Sequence, residues 1–268
     1  MNICNNNCLY CLEQSYRTKE YFIEKNFIIN ILKTSCIDEI ITFYGGNPLL
    51  HPNLIELIKE AKNNGFKYIS LLSNTYSLNK IILDEMKNIG LNSFGFYFNS
   101  FNKKNHELVN GKGITYELLI KNIFLLKESG LILKAIIHIN NINIGTIARD
   151  ILILSSKYGI KNFEFINYFP FDRPYENKDI LDYSILENEK QISLLFKVIK
   201  NLNLKVKFVK FPKDFFGKFI EFYDFKEGIL KQIGEEDIIR FSGKKTPFCF
   251  EEKRCISCFI RDDCKFYL

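Results

Sequence analysis

The chain has 268 residues, of which 47% are hydrophobic and 25% are charged, and its formal net charge is +6. This composition fits a globular protein with one large core, and the mild positive charge permits an acidic substrate or a nucleic acid but requires neither. No stretch reaches the roughly 18 consecutive apolar residues of a membrane helix, and the first residues lack the basic and apolar regions of a signal peptide. We therefore expect a cytoplasmic protein that does not enter a membrane.

Three cysteines lie in the first eleven residues, with the spacing Cys4-x3-Cys8-x2-Cys11. Three thiolates are one fewer than a structural zinc ion or a fully protein-bound iron–sulfur cluster requires. A four-iron cluster held by three cysteines leaves one iron open to a substrate or cofactor. The alternatives are part of a zinc knuckle and three reduced thiols without a function.

This spacing, together with Tyr10 before the last cysteine, resembles the cluster motif of the radical S-adenosylmethionine (radical SAM) enzymes. The resemblance implies that the three cysteines hold a 4Fe-4S cluster whose open iron binds S-adenosylmethionine, with Tyr10 beside that cofactor. It also implies reductive cleavage of the cofactor to methionine and a 5'-deoxyadenosyl radical, which abstracts hydrogen from a substrate. The family normally has a strand before the motif, but only three residues precede Cys4. We expect a truncated first strand and favour a start codon assigned too late.

Short apolar runs alternate with helical patterns along the chain, which is typical of βα units around a parallel sheet. The patterns predict strands at residues 39–44, 66–72, 93–98, 131–139 and 163–167, and helices at residues 53–64, 78–89, 115–129, 144–158 and 186–201. Gly130 is a predicted helix C-cap. The predicted fold class is α/β, a partial (β/α)6 TIM-like barrel over residues 1–202. Residues 203–268 are predicted to form a small cysteine-rich extension that includes a two-faced strand at residues 204–211.

Active sites of such barrels lie at the carboxyl ends of the strands, so the residues that follow each strand are candidates. The strand at residues 39–44 is followed by Gly45, Gly46 and Asn47, and paired glycines let a ligand approach the backbone closely. This stretch resembles the family's GGEP motif, which binds the amino group of S-adenosylmethionine, with Asn47 in place of the usual glutamate. An amide accepts a hydrogen bond from an ammonium group without the charge-assisted strength of a carboxylate.

Polar residues also follow the next two strands, namely Ser73, Asn74 and Asn99. The resemblance implies that they lie near the cofactor, although asparagine is also a common turn residue and each position is open to that interpretation. Among the histidines, His106 is predicted to lie in a polar loop. His138 falls within an apolar strand, where we expect a wall residue rather than a catalyst.

A second group of four cysteines lies near the end of the sequence: Cys249, Cys255, Cys258 and Cys264. Four thiolates can close a local site, and both zinc and a fully ligated 4Fe-4S cluster are competent to fill it. The spacing resembles part of the SPASM and twitch extensions of radical SAM enzymes. This resemblance favours one auxiliary 4Fe-4S cluster over zinc.

Relatives with a SPASM-like tail often modify ribosomally made peptides or proteins. The resemblance therefore implies an oxidoreductase or maturase that acts on a peptide or protein, with a flavodoxin or ferredoxin as its electron donor and without a nucleic acid partner. Two alternatives stay open. One is modification of a small molecule or nucleoside by the same chemistry, and the other is a zinc-stapled binding protein without catalysis.

Overall fold

The computed structural model describes residues 3–12, 22–34, 40–111, 114–222, 231–233 and 238–240. Six parallel strands form one sheet in sequential order, each paired with the next along the chain. They are β1 (Ile40–Phe43), β2 (Tyr68–Ser73), β3 (Ser93–Tyr97), β4 (Ile132–Ile139), β5 (Asn162–Asn167) and β6 (Lys205–Val209). A separate antiparallel pair consists of β7 (Lys231–Ile233) and β8 (Ile238–Arg240).

Helices connect successive parallel strands, because each connection must carry the chain from the carboxyl end of one strand back to the amino end of the next. The described helices are α1 (Lys25–Thr34), α2 (Leu54–Asn63), α3 (Lys80–Asn88), α4 (Lys103–Asn110), α5 (Tyr116–Ser129), α6 (Ile147–Tyr158), α7 (Arg173–Glu176), α8 (Lys178–Leu181) and α9 (Glu189–Asn201). The architecture is a partial, TIM-like α/β barrel, which confirms the predicted fold class. None of the described helices is long and apolar enough to cross a membrane.

The core lies where the sheet meets the helices. The central strands are buried on both faces, which explains their nearly continuous apolar sequences: Phe94 and Phe96 of β3 and Ile137 of β4 are all inaccessible to solvent. Each crossover helix buries one stripe at helical spacing, as Leu119, Ile123 and Leu126 do in α5. Gly130 ends α5 with a left-handed φ of 73°, as predicted.

The sheet extends beyond residue 202, where the sequence places the start of the extension. The predicted strand at residues 204–211 is β6, which pairs in parallel with β5. Within the described residues, the six strands of this sheet all follow the cysteine loop in sequence. The backbone at that end still contacts the barrel, since the Asn47 N–H donates to the Ile3 carbonyl at 2.8 Å.

Helix α4 corrects the prediction that His106 lies in a polar loop. The helix buries His106, Val109 and Asn110, so two of the three side chains on its inner face are polar. An apolar repeat of 3.6 residues is therefore missing from its sequence, so hydrophobic periodicity does not reveal this helix. The predicted auxiliary ligands Cys249, Cys255, Cys258 and Cys264 lie outside the described residues.

Candidate functional site

The loop that carries the three cysteines is held by the carboxyl end of α4. The Leu9 N–H donates to the Val109 carbonyl at 2.8 Å, and the Asn7 N–H donates to the Asn110 carbonyl at 3.4 Å. The last carbonyls of a helix have no partner within the helix, so they are available to a neighbouring loop. Helix α4 thereby fixes the backbone between Cys4 and Cys11.

Gly111, directly after α4, allows this close approach. Its φ is +61°, and a Cβ atom at this position would lie 2.9 Å from the Asn7 carbonyl oxygen. Both the backbone conformation and the short distance exclude a larger residue without movement of the loop. The position of the cysteine loop therefore depends on a glycine about one hundred residues away in sequence.

The carboxyl end of β1 contains the predicted glycine pair, and Gly45 and Gly46 both adopt positive φ values, 95° and 52°. Asn47 follows and is completely buried. Its Oδ1 accepts a hydrogen bond from the Ser73 hydroxyl at 2.8 Å, and its Nδ2 donates to Asn5 Oδ1 at 3.0 Å. The Asn47 amide thus connects the ends of β1 and β2 to the cysteine loop.

Asn74, at the end of β2, contacts the cysteine loop directly. Its Nδ2 donates to Asn5 Oδ1 at 3.0 Å and to Cys4 Sγ at 3.6 Å. Its Oδ1 accepts the Tyr76 N–H at 3.0 Å. The residue predicted near a cofactor therefore lies against one of the predicted metal ligands.

Asn99, at the end of β3, is 1% exposed and has an unsatisfied acceptor. Its Nδ2 donates to Asn110 Oδ1 at 3.1 Å, and the side chain also hydrogen-bonds the Tyr10 hydroxyl. Its Oδ1 has no hydrogen-bond partner within the described part of the chain. A buried acceptor left unpaired costs about 1–3 kcal/mol, so a ligand with a hydroxyl or ammonium donor would stabilise the site by pairing with it.

The environment of Cys8 disfavours ionisation of its thiol. Burial, followed by the proximity of Cys4 and Cys11, raises the pKa of Cys8 to about 12. The Cys8 thiol donates to Asn110 Oδ1 at 3.4 Å, a contact that requires the proton. A bound metal centre reverses this preference, because its positive charge deprotonates a coordinating thiol.

The donor set is chemically suited to an iron–sulfur cluster, whose irons are held by cysteine thiolates. Within the described ranges, no three Cys, His, Asp or Glu side chains converge on one metal-ion position. A mononuclear zinc site requires such convergence, with each thiolate about 2.3 Å from the same ion. In an iron–sulfur cluster, by contrast, each thiolate binds a different iron.

A small cavity, with room for about one water molecule, lies beside the cysteine loop. Tyr10 and His138 line it with their rings stacked at a centroid distance of 4.1 Å. Burial, and to a smaller extent Lys210, lowers the pKa of His138 to about 3, so the imidazole is neutral at physiological pH. Lys210 extends over the ring of Phe169, another lining residue, at 4.3 Å. His138 therefore forms part of the wall of this cavity.

Of the predicted site residues, Asn47 and Asn74 bond to the loop of Cys4, Cys8 and Cys11. Ser73 bonds to Asn47, and Asn99 bonds to Asn110. Gly45 and Gly46 directly precede Asn47, and Tyr10 lies in the loop itself. Sequence reasoning missed Asn5, Asn6 and Asn110, which link that loop to β1, β2 and α4. The available signal was the run of three asparagines between the first two cysteines. The side-chain amides of Asn47, Asn74 and Asn110 bond to the loop, and the Arg173 guanidinium also donates to it, at Asn7 Oδ1.

A protein-family model described as the Radical SAM superfamily matches residues 1–152, more than half of the chain. Among curated proteins, a 7,8-dihydro-6-hydroxymethylpterin dimethyltransferase of Methanocaldococcus jannaschii is 29% identical over 119 residues, which are 42% of this chain and 24% of that protein. A probable GTP 3',8-cyclase of Saccharolobus islandicus is 22% identical over 172 residues, which are 63% of this chain and 55% of that protein. The matches thus span between about a quarter and about half of these relatives.

Among solved structures, Streptococcus suis SuiB bound to its precursor peptide SuiA has a similar fold. The TM-score is 0.62 at 13% sequence identity, and the match covers 87% of this chain and 50% of that one. At this identity the likeness establishes the fold alone.

Proposed function

The chain belongs to the radical SAM superfamily, and we propose that it is an enzyme that reductively cleaves S-adenosylmethionine and uses the resulting radical to modify a peptide or protein. The superfamily implies a 4Fe-4S cluster and S-adenosylmethionine. Cys4, Cys8 and Cys11 would hold the cluster. When bound, the cluster supplies the electron that breaks a carbon–sulfur bond of the cofactor's sulfonium.

One observation carries this proposal: polar residues at the ends of three successive strands meet the cysteine loop. Asn74 reaches Cys4 at 3.6 Å across 70 positions of sequence, and Asn47 reaches Asn5 at 3.0 Å across 42 positions. Ligands of parallel α/β sheets bind at the carboxyl ends of the strands. The cysteines and the candidate cofactor contacts therefore share one site.

Each residue at this edge has a physical role in the proposal. The positive φ values at Gly45 and Gly46 let the cofactor approach the backbone and its peptide groups. Asn99 Oδ1 offers a buried acceptor to a cofactor donor. Ser73 and Asn47 hold the glycine loop against the cysteine loop by their hydrogen bonds. Tyr10 and His138 exclude water from one side through their stacked rings.

Anaerobic reconstitution of the full chain tests the cleavage activity. We expect a brown protein with about four irons for each cluster, an electron paramagnetic resonance (EPR) signal after reduction, and 5'-deoxyadenosine formed from S-adenosylmethionine. Chromatography of the quenched reaction measures the last product. Full occupancy with iron and no 5'-deoxyadenosine would contradict the proposal.

The peptide substrate is supported by the fold shared with SuiB, whose structure holds a precursor peptide. The names of the sequence relatives favour a second candidate, a pterin or a nucleotide. Incubating the reconstituted enzyme separately with GTP, with a hydroxymethylpterin and with any short peptide encoded beside its gene separates the two. A cofactor-dependent mass change in the peptide supports the first. Product from GTP or the pterin, with the peptide unaltered, supports the second.

The proposal also covers the second group of cysteines, Cys249, Cys255, Cys258 and Cys264. We expect them to bind an auxiliary 4Fe-4S cluster that accepts an electron from the product radical or binds substrate. Cys258→Ala should then retain more of the S-adenosylmethionine cleavage than of the substrate turnover. Equal loss of both activities, or zinc in metal analysis of the purified chain, would contradict this extension.

A further inference from the structure

Two of the three cysteine sulfurs accept hydrogen bonds from asparagine amides. Asn74 Nδ2 donates to Cys4 Sγ at 3.6 Å, and Asn6 Nδ2 donates to Cys8 Sγ at 3.8 Å. Both asparagines are buried, with 5% and 6% of their surface exposed. These contacts therefore lie in a region from which water is largely excluded, where each hydrogen bond is electrostatically stronger than in water.

The orientation of each amide is fixed by its other end. Asn74 Oδ1 accepts the Tyr76 N–H at 3.0 Å, and Asn6 Oδ1 accepts the Ile114 N–H at 3.0 Å. If either amide were rotated by 180°, its Nδ2 group would face a backbone donor and its oxygen would face sulfur. The backbone therefore holds both Nδ2 groups toward the cysteines.

Donors to ligand sulfur have a defined electrostatic effect on an iron–sulfur cluster. They stabilise negative charge on the thiolates, and the reduced cluster carries one more negative charge than the oxidised cluster. Hydrogen bonds to the sulfurs therefore raise the reduction potential. The other side chains of the network, Asn5, Asn47 and Ser73, carry no formal charge that would oppose this effect.

We propose that Asn74 and Asn6 are positioning residues that raise the reduction potential of the cluster held by Cys4, Cys8 and Cys11 through their N–H···S hydrogen bonds. The inference rests on the proposed function, because it requires that cluster. It adds a specific role for two amides that touch the ligands and no substrate. As a consequence, a weaker electron donor suffices to reduce the cluster.

The test is an EPR-monitored redox titration of the full chain, reconstituted and without S-adenosylmethionine. Asn74→Asp keeps the acceptor for the Tyr76 N–H but presents a carboxylate oxygen to Cys4. We expect the ratio of reduced to oxidised cluster at a fixed potential to fall at least tenfold, which is a shift of about 59 mV for one electron. Asn74→Ala removes the donor without adding charge and should shift the potential less, in the same direction.

A matched control separates this contact from a general effect of charge. Asn79→Asp makes the same substitution at the exposed N-cap of α3, where aspartate caps as well as asparagine. Its potential should equal that of the wild type. Asn6→Asp provides a second, independent test at Cys8 and should lower the potential as Asn74→Asp does.

The outcomes distinguish this inference from the proposed function. Unchanged potentials in both aspartate variants, with intact EPR signals, would overturn the inference and leave the proposed function standing. Folded variants that both lose the cluster would also overturn it, because the amides would then serve assembly rather than potential. A wild-type chain that takes up no cluster would instead contradict the proposed function.

Discussion

The two sides of the barrel are built from different interactions. At the carboxyl ends of β1 to β3, asparagine and serine side chains connect distant segments through hydrogen bonds to the cysteine loop. Around β6 and α9, phenylalanine rings pack on one another. The ring centroid of Phe196 lies within 5.8 Å of the centroids of five other rings: Phe208, Phe215, Phe216, Phe219 and Phe222.

The phenylalanine side and the amide side therefore have different roles, the first in stabilising the fold and the second in positioning the groups of the candidate site. Apolar packing contributes stability in proportion to the area buried and has no directional requirement at a metal site. Buried amides contribute little net stability, but each fixes the position of a donor or acceptor. We therefore expect substitutions on the phenylalanine side to change the free energy of unfolding, and those on the amide side to change the cluster and its reactions.

Cys4→Ala should have the largest effect on activity. Loss of one of three ligands should abolish cluster binding and S-adenosylmethionine cleavage, since each thiolate binds one iron. Iron content and 5'-deoxyadenosine formation measure the result. The melting temperature of the unreconstituted chain should change little, and cleavage at the wild-type rate would show that Cys4 is not a ligand.

Phe196→Ala should have the largest effect on stability. Removing a completely buried ring from the centre of the phenylalanine cluster should lower the free energy of unfolding by about 3–5 kcal/mol. Urea titration measures it. Leu194→Ala on the same helix is a control, because Leu194 is 52% exposed and its loss should cost within about 0.5 kcal/mol. Below the urea transition, cleavage per folded molecule should equal that of the wild type.

Gly111→Ala tests the link between α4 and the cysteine loop. Gly111 has φ 61° and ψ −132°, a backbone conformation that residues with a Cβ rarely adopt, and the contact with the Asn7 carbonyl should in addition displace the loop and lower cluster retention. Gly159→Ala is a control for a positive φ without a close contact, because its φ is +74° and nothing lies within 4 Å of the added Cβ. Equal iron content in the two variants would contradict the role of Gly111.

Acidification should weaken the contacts that hold the cysteine loop, with a smaller effect than Gly111→Ala. His106 Nε2 lies 3.0 Å from the Ile114 carbonyl oxygen, and Asn110 Nδ2 lies 2.9 Å from Nε2 and 3.2 Å from Nδ1. Both partners are satisfied when Nε2 donates to the carbonyl and Nδ1 accepts from Asn110, which the neutral imidazole alone can do. Burial lowers the pKa of His106, with Glu107 and Glu117 acting in the opposite direction. Because the unfolded chain binds the proton more readily, stability should fall as the pH drops below about 6.5, by at most about 1.4 kcal/mol per pH unit.

Urea titrations of the wild type and His106→Gln between pH 7.5 and pH 5.5 measure this slope. The variant should be less stable at pH 7.5 but should lose less stability on acidification. His138, whose pKa is also lowered by burial, contributes a slope of the same sign in both proteins, so the difference between them isolates His106. Parallel slopes would contradict the prediction.

The sequence by itself determined the cysteine spacing, the alternation of strands and helices, and the positions of polar residues after each strand. These features depend on local periodicity and on the rule that parallel strands place their carboxyl ends at one edge, so they could be inferred without coordinates. The structure confirms the α/β partial barrel and gathers Asn47, Ser73 and Asn74 at the cysteine loop.

Only the tertiary structure decided how the cysteine loop is held. Helix α4 has a polar buried face, so its sequence carries no apolar repeat, and its contacts with the loop join residues about one hundred positions apart. The side-chain Nδ2 groups of Asn6 and Asn74 point toward the cysteines because folding brings a backbone N–H group to the Oδ1 atom of each amide. Asparagine serves turns, caps and ligand contacts equally well, and its partner in space determines which of these roles it has.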